Sequence, residues 1–500
     1  MGIIRKQAIQ GTIYTYLGAA LGFVNISILF PRILGQDQVG LLGVIVAYSV
    51  IFSQFASLGF NATTTRLFSY FRTDDKRHHG FAFLLLMVSL VGFILSLIVF
   101  LFIKPVLLND TDPESSGLMQ QYFWYIVPLI FFTLFFNAFD NYYKMLFRSV
   151  PGTFMKELLI RIFVFIIILV YSLGLISFSM FVFLYVASYC LPTIIILVML
   201  AIDGQLKIKP DFSFIDRQMR KDLINVSLFG IITSATGILT LNIDRVMIEE
   251  ILGLSDTGVY TIAYFFGTII ILPSRPLVKI SSAIVAEAWK SNDTGSISNI
   301  YYKSCINQFV IGAFLTAAIW LNIDNIIQIM TEEYSEGKFV ILFIALAYLS
   351  DMASGVGSGI LMTSHKYRMQ ALFMGIMVVM IVITNLLFIP VYGIVGAALA
   401  SFISKTLYNL MRYIYMWVKF RMQPYDYKSL LVIGITALSF FTAYLIPVFE
   451  NFILDILIRS ADFGIIFIGM TYILNISDDI NNRLETYYKL VKTGFRKDQR

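Results

Sequence analysis

Charge is scarce in this 500-residue sequence. Asp, Glu, Lys and Arg make up 14% of it, against about a quarter in soluble domains. So few ionised groups cannot clothe a chain that is 58% hydrophobic, which excludes an ordinary water-soluble globule. Cysteine is nearly absent. Cys190 and Cys305 both fall in or beside apolar runs, so neither a disulfide framework nor a cysteine metal centre is expected. Histidine occurs only at His78, His79 and His365, all in segments expected to be solvated inner loops. A membrane acyltransferase, which needs a histidine within the bilayer, therefore has no candidate. There is no phosphate-cradling glycine loop and no metal-ligand cluster, so ATP hydrolysis is not expected and no cofactor or metal is called for. No loop exceeds about 25 residues, too few for a soluble domain. The longest outer loop, about residues 104–121, holds a single lysine, whereas a polysaccharide polymerase acting outside would be expected to have a large, basic outer loop. The net charge of +6 would suggest nucleic acid in a soluble protein; here it fits membrane-flanking loops, and no nucleic-acid partner is expected.

Long apolar runs are what the sequence does contain. Without strict alternation they mean helices, because a lone helix satisfies its own backbone in lipid. The expected fold is an all-α integral membrane protein of about fourteen transmembrane helices. The segments are 8–30, 40–60, 81–103, 122–146, 157–178, 180–202, 222–248, 256–278, 304–322, 339–362, 369–390, 391–417, 429–449 and 461–476. The first follows Arg5 and Lys6 without a small-residue cleavage site and reads as an uncleaved helix, not a signal peptide. With the N-terminus in the cytoplasm, all basic residues except Arg32, Lys104, Arg245, Lys338 and Arg459 fall on the inner side. The expected parts are a six-helix bundle at 1–202, a cytoplasmic linker at 203–221, a second six-helix bundle at 222–417, two more helices at 418–476 and a basic tail at 477–500. Both termini are expected in the cytoplasm. The tail reads as solvated, with membrane lipid as a partner.

Residues 33–40 and 251–258 share the pattern I-L-G-x-x-x-x-G at an offset of 218. Each sits in the outer turn between the first two helices of a six-helix half, where glycine suits a tight turn. Six is even, so both halves start inside and the repeat is parallel, with its pseudo-twofold along the membrane normal. These turns resemble those of the polysaccharide-export branch of the multidrug/oligosaccharidyl-lipid/polysaccharide exporter superfamily. So does Asn385-Leu-Leu-Phe-Ile-Pro-Val-Tyr-Gly-Ile-Val-Gly-Ala-Ala-Leu-Ala400, and Asn242-Ile-Asp-Arg-Val-Met-Ile248 is similar to that family's seventh helix. The resemblance implies two bundles forming a V around a cavity. It also implies alternating access and a lipid-linked oligosaccharide substrate on undecaprenyl diphosphate, moved across the bacterial inner membrane. Polysaccharide-assembly proteins would be its partners.

A carrier of that kind makes and breaks no bonds, so no enzyme is expected. It needs cations for a diphosphate and amides, hydroxyls or aromatics for sugars. Lys405, Arg275, Arg245, Asn25 and Gln54 are the candidates for substrate contact, and Asp351 and Asp244 for ion coupling. Each has a plainer reading. Asp351 and Lys405 form a packing pair or a cavity pair. Asp244 and Arg245 are a local ion pair, an interfacial snorkel or a cavity contact. Arg275, between Pro273 and Pro276, lines a broken helix or follows the positive-inside rule. Ser49, Ser53 and Ser57 line a cavity or let helices approach. Asp140 is interfacial, with Arg161 as an available partner. The 28 Tyr and 45 Phe read mainly as lipid-facing or belt residues. The rival functions are a cation-coupled drug extruder, disfavoured because segment 8–30 has no Asp or Glu, and a peptidoglycan-precursor flippase, disfavoured by the lack of an Arg-rich first helix. Membrane-embedded polysaccharide polymerases and acyltransferases form the different class.

Overall fold

The computed structural model describes residues 2–107 and 113–486, and every regular element among them is helical. Among these residues ten helices are long and apolar enough to cross a membrane. Glu332–Ala353 and Gly357–Thr363, bent by 52°, make an eleventh candidate span. The fourteen expected from the sequence include three more. Val150–Phe154 runs through a π-helical turn into Ile160–Ser172. Phe452–Ile473 carries Asp455 and Arg459, which are buried against each other at 3.1 Å. Tyr367–Phe420 is one run that covers two expected segments.

That last run corrects the expected break at Pro390. The helix passes through Pro390, and its backbone leaves helical geometry at Gly393, with φ of 57°. Only glycine enters that region without a steric cost. The inner loop expected after residue 60 opens instead with a helix, Phe60–Phe71. His78 is a second correction. It is 3% exposed rather than solvated, with Nδ1 accepting from Thr73 N–H at 3.1 Å and Nε2 beside Gln205 Oε1 at 2.8 Å.

Side-chain placement is that of a membrane protein. Phe102 and Ile202 are both 80% exposed on candidate spans, a placement that lipid solvates. Aromatics such as Phe68, Phe71, Phe81 and Tyr142 fill a core against each other. The chain forms two compact units, one of Met1–Phe265 with Val378–Ala397, the other of Phe266–Met377 with Ala398–Arg500. Of the expected tail, residues 478–486 are helical and Asn481 is buried. Residues 487–500, with Lys489, Lys492, Arg496, Lys497 and Arg500, lie outside the described residues, as do Asp110 and Asp112.

The repeated turns are not alike in backbone. Gly253 has φ of 96°, the strained region that favours glycine, whereas Gly35 has φ of −69°, open to any residue. Gly40 and Gly258 lie within helices, and close approach rather than turn geometry requires them.

Candidate functional site

Two π-helical turns interrupt the helices of the first unit, Val24–Leu29 and Met155–Leu159. Such turns put an extra residue into a helix and re-aim the side chains around it, and they occur often at functional sites. Both border the same cavity, of about 290 Å³. Asn25 comes from the first turn and Lys156 from the second, with Arg161 just beyond it. Gln54, Thr133, Asn137, Tyr185 and Tyr189 complete its polar lining. Two cations face the space and no carboxylate lines it.

Local packing fixes these groups. Asn25 is 2% exposed, and its Nδ2 donates to the Arg161 backbone carbonyl at 2.8 Å. That bond settles which end of the amide is which. Asn25 Oδ1 is then a buried acceptor with no hydrogen-bond partner among the described residues. Arg161 lies across the first helix where it presents Gly18 and Gly22. A Cβ at Gly22 would come within 3.1 Å of Arg161 Nε, and one at Gly18 within 2.9 Å of Arg161 Nη1. Glu157, one turn earlier, approaches Arg161 Nη2 at 3.4 Å. Tyr185 and Tyr189 have ring centroids 5.1 Å apart and hydroxyls 3.2 Å apart.

The structure thus places Asn25 and Gln54 on one cavity with Lys156 and Arg161, which the sequence had assigned to the positive inner face. Asp140 pairs with Lys144 at 2.5 Å, correcting the partner considered for it. Ser49, Ser53 and Ser57 are buried and bond to carbonyls of their own helix, at Ile45, Val50 and Gln54.

Asp244 lies elsewhere in the same unit and is buried. Its carboxylate accepts from Tyr260 OH at 2.7 Å and from Asn385 Nδ2 at 2.8 Å. Arg245 lies over the Tyr264 ring at 5.2 Å. Nearby in sequence, Tyr48 OH donates to Glu249 at 3.1 Å and to Glu250 at 3.0 Å. Glu249 is fully buried, and sequence reading missed it because it fell just past the expected end of its helix.

In the second unit Lys405 and Asp351 meet at 3.2 Å, with the Lys405 ammonium 3.6 Å from the Tyr348 ring centroid. Asn409 donates to Asp351 Oδ1 at 2.9 Å, and Arg412 donates to Asn409 Oδ1 at 2.8 Å. Arg412 is buried and its Nε has no hydrogen-bond partner among the described residues. Arg275 is exposed in the first turn of Ser274–Lys290 and joins none of these clusters. Among the described residues no group of three or more His, Cys, Asp or Glu is placed to hold a metal ion.

Long apolar helices, a cationic cavity and buried ion networks define a multi-pass membrane transporter fold. Residues 4–274 match the family described as "Polysaccharide biosynthesis protein", so the chain belongs to that family, within the multidrug/oligosaccharidyl-lipid/polysaccharide exporter superfamily. Among solved structures it is similar to the lipid II flippase MurJ in an inward closed conformation. The match has a TM-score of 0.73 and 15% identity, over 94% of this chain and 100% of that one. It is also similar to an inward-facing multidrug resistance MATE family transporter, with a TM-score of 0.64 and 15% identity over 82% of this chain and 94% of that one. A Vibrio cholerae MATE transporter matches with a TM-score of 0.51 and 11% identity, over 85% of this chain and 99% of that one. At such identities the likeness concerns the fold. A sequence search among curated proteins finds no match.

Proposed function

We propose that this chain is a flippase moving undecaprenyl-diphosphate-linked oligosaccharide across the bacterial inner membrane by alternating access, with both termini in the cytoplasm. The observation that carries this reading is the cavity of the first unit. It has two cations, three amides and two tyrosines, with no lining carboxylate, inside an apolar chain. The clustering of Lys156 and Arg161 around one cavity supports an anionic, hydroxylated cargo whose lipid tail stays in the membrane. Contacts to the diphosphate are assigned to Lys405, Arg275 and Arg245. Coupling to a proton or sodium gradient runs through Asp351 or Asp244. The chain forms no covalent intermediate and acts beside polysaccharide-assembly proteins that supply and consume its cargo. A cation extruder is disfavoured, since two cations would repel its substrate.

The test is reconstitution in liposomes with a short-chain lipid-diphosphate oligosaccharide, scoring transbilayer movement with and without a proton gradient. Movement faster than in protein-free liposomes supports the flippase. No movement, together with extrusion of a lipophilic cation dye, would overturn it.

A further inference from the structure

We propose that the cavity of the first unit is a subsite for one acidic sugar of the cargo, a ring bearing a carboxylate, and that Arg161 is its specificity-determining contact. The inference rests on the flippase reading and names the part of the headgroup this cavity takes.

Two features separate a sugar from a bare diphosphate. The first is Asn25 Oδ1. It is buried, it borders the cavity, and its amide is locked by the bond from Nδ2 to the Arg161 carbonyl. A buried acceptor left without a donor is costly, so its natural complement is a ligand that donates. A sugar hydroxyl donates; an ionised diphosphate diester has no proton to give. The second is the Tyr185–Tyr189 pair, which offers ring faces and hydroxyls together. Diphosphate recognition has no use for an aromatic face, whereas the C–H face of a sugar packs on one.

The charge then selects among sugars. Lys156 has no ion-pair partner among the described residues, and the lining holds Lys156 and Arg161 with no carboxylate, so the cavity retains positive character. A planar guanidinium held in a slot matches a carboxylate in two-pronged fashion. Gly18 and Gly22 make that slot, because a side chain at either would take the space that Arg161 occupies. The cavity volume, about 290 Å³, is at the small end of ligand sites and suits a single ring rather than a whole repeat unit.

The experiment uses the full chain in nanodiscs, with glucuronate, glucose and inorganic pyrophosphate as probes in competition-binding NMR. Glucuronate should bind at least tenfold more tightly than glucose, and pyrophosphate should not displace it. Arg161→Gln should bring glucuronate down to the level of glucose, and Arg161→Lys should restore part of the difference. Equal binding of glucuronate and glucose by the wild-type chain, or full displacement by pyrophosphate, would overturn the assignment whether or not the variants fold. A liposome arm compares wild-type movement of two lipid-diphosphate glycans, one ending in glucuronic acid and one in glucose. Faster movement of the acidic lipid supports the subsite. Equal movement overturns the subsite and leaves the flippase standing. Movement of neither overturns the flippase reading, and the binding arm alone then decides the subsite.

Discussion

Gly40 and Gly258 face each other across the internal repeat. A Cβ added to Gly40 would lie 3.1 Å from the Gly258 nitrogen, and a Cβ added to Gly258 would lie 3.1 Å from the Gly40 nitrogen. The flanking contacts are reciprocal too. Gly40 presses on the Leu254 carbonyl and Gly258 on the Gln36 carbonyl, and Gln36 and Leu254, like Gly40 and Gly258, are 218 positions apart. When residue i meets j and the equivalent of j meets the equivalent of i, the contact is that of a twofold. The shared sequence pattern therefore records a helix–helix contact on the pseudo-twofold, made at a distance only glycine permits.

Gly40→Ala and Gly258→Ala should each destabilise the protein, because overpacking at a backbone contact costs about 1–3 kcal/mol. Gly35→Ala should be close to neutral, since nothing lies within 4 Å of a Cβ there and its φ is ordinary. Thermal unfolding in detergent checks all three, and a Gly35→Ala effect as large as that of Gly40→Ala would contradict the contact.

The Lys405–Asp351 pair of the second unit should behave asymmetrically. Lys405→Met leaves the half-buried Asp351 without its ion partner and should destabilise the protein, by less than the about 3–5 kcal/mol of a fully buried pair. The double variant Lys405→Met with Asp351→Leu should recover most of the loss. A double-mutant cycle by chemical denaturation measures this, and additive effects would show that the 3.2 Å contact carries no coupling.

Asp244→Asn keeps the shape of the side chain but removes its charge. It should leave the fold intact and abolish any dependence of transport on the coupling ion. Tyr260 and Asn385 both donate to this carboxylate, so their truncation should weaken ion dependence without removing it. Transport rates at varied sodium and pH check this, and an unchanged ion dependence in Asp244→Asn would shift coupling to Asp351.

Gly18→Ala should act on the cavity from behind. Its methyl would collide with the Glu157 carbonyl and crowd the Arg161 guanidinium. The expected outcome is a loss of sugar affinity of about tenfold, some 1.4 kcal/mol, along with reduced stability. Gly11→Ala, where the nearest atom to a Cβ is 3.9 Å away, is the control on the same helix.

The membrane class and the repeat were legible because lipid demands long apolar runs, and because Gly40 and Gly258 cannot vary without collision. Asn25 and Gln54 stood out as amides in apolar surroundings. Lys156 and Arg161 did not, because cations at the edge of a span look the same whether they face cytoplasm or a cavity. The π-helical turns that re-aim them have no sequence signature. Arg412 was hidden in the same way among inner basic residues, although it is buried against Tyr408 and Asn409. The expected segments divided at Pro390, yet Gly393 is where the backbone turns.

A cargo headgroup that enters the cavity of the first unit should be shut out when that cavity is filled. Thr133 lines it, so Thr133→Trp places a large side chain in the space without touching a charge. The measurement is the initial rate of transbilayer movement of a lipid-diphosphate oligosaccharide in liposomes, at matched protein density and with thermal stability checked. The account predicts a rate at least about tenfold below wild type, equivalent to some 1.4 kcal/mol. A stable Thr133→Trp protein that moves the lipid at the wild-type rate would contradict it.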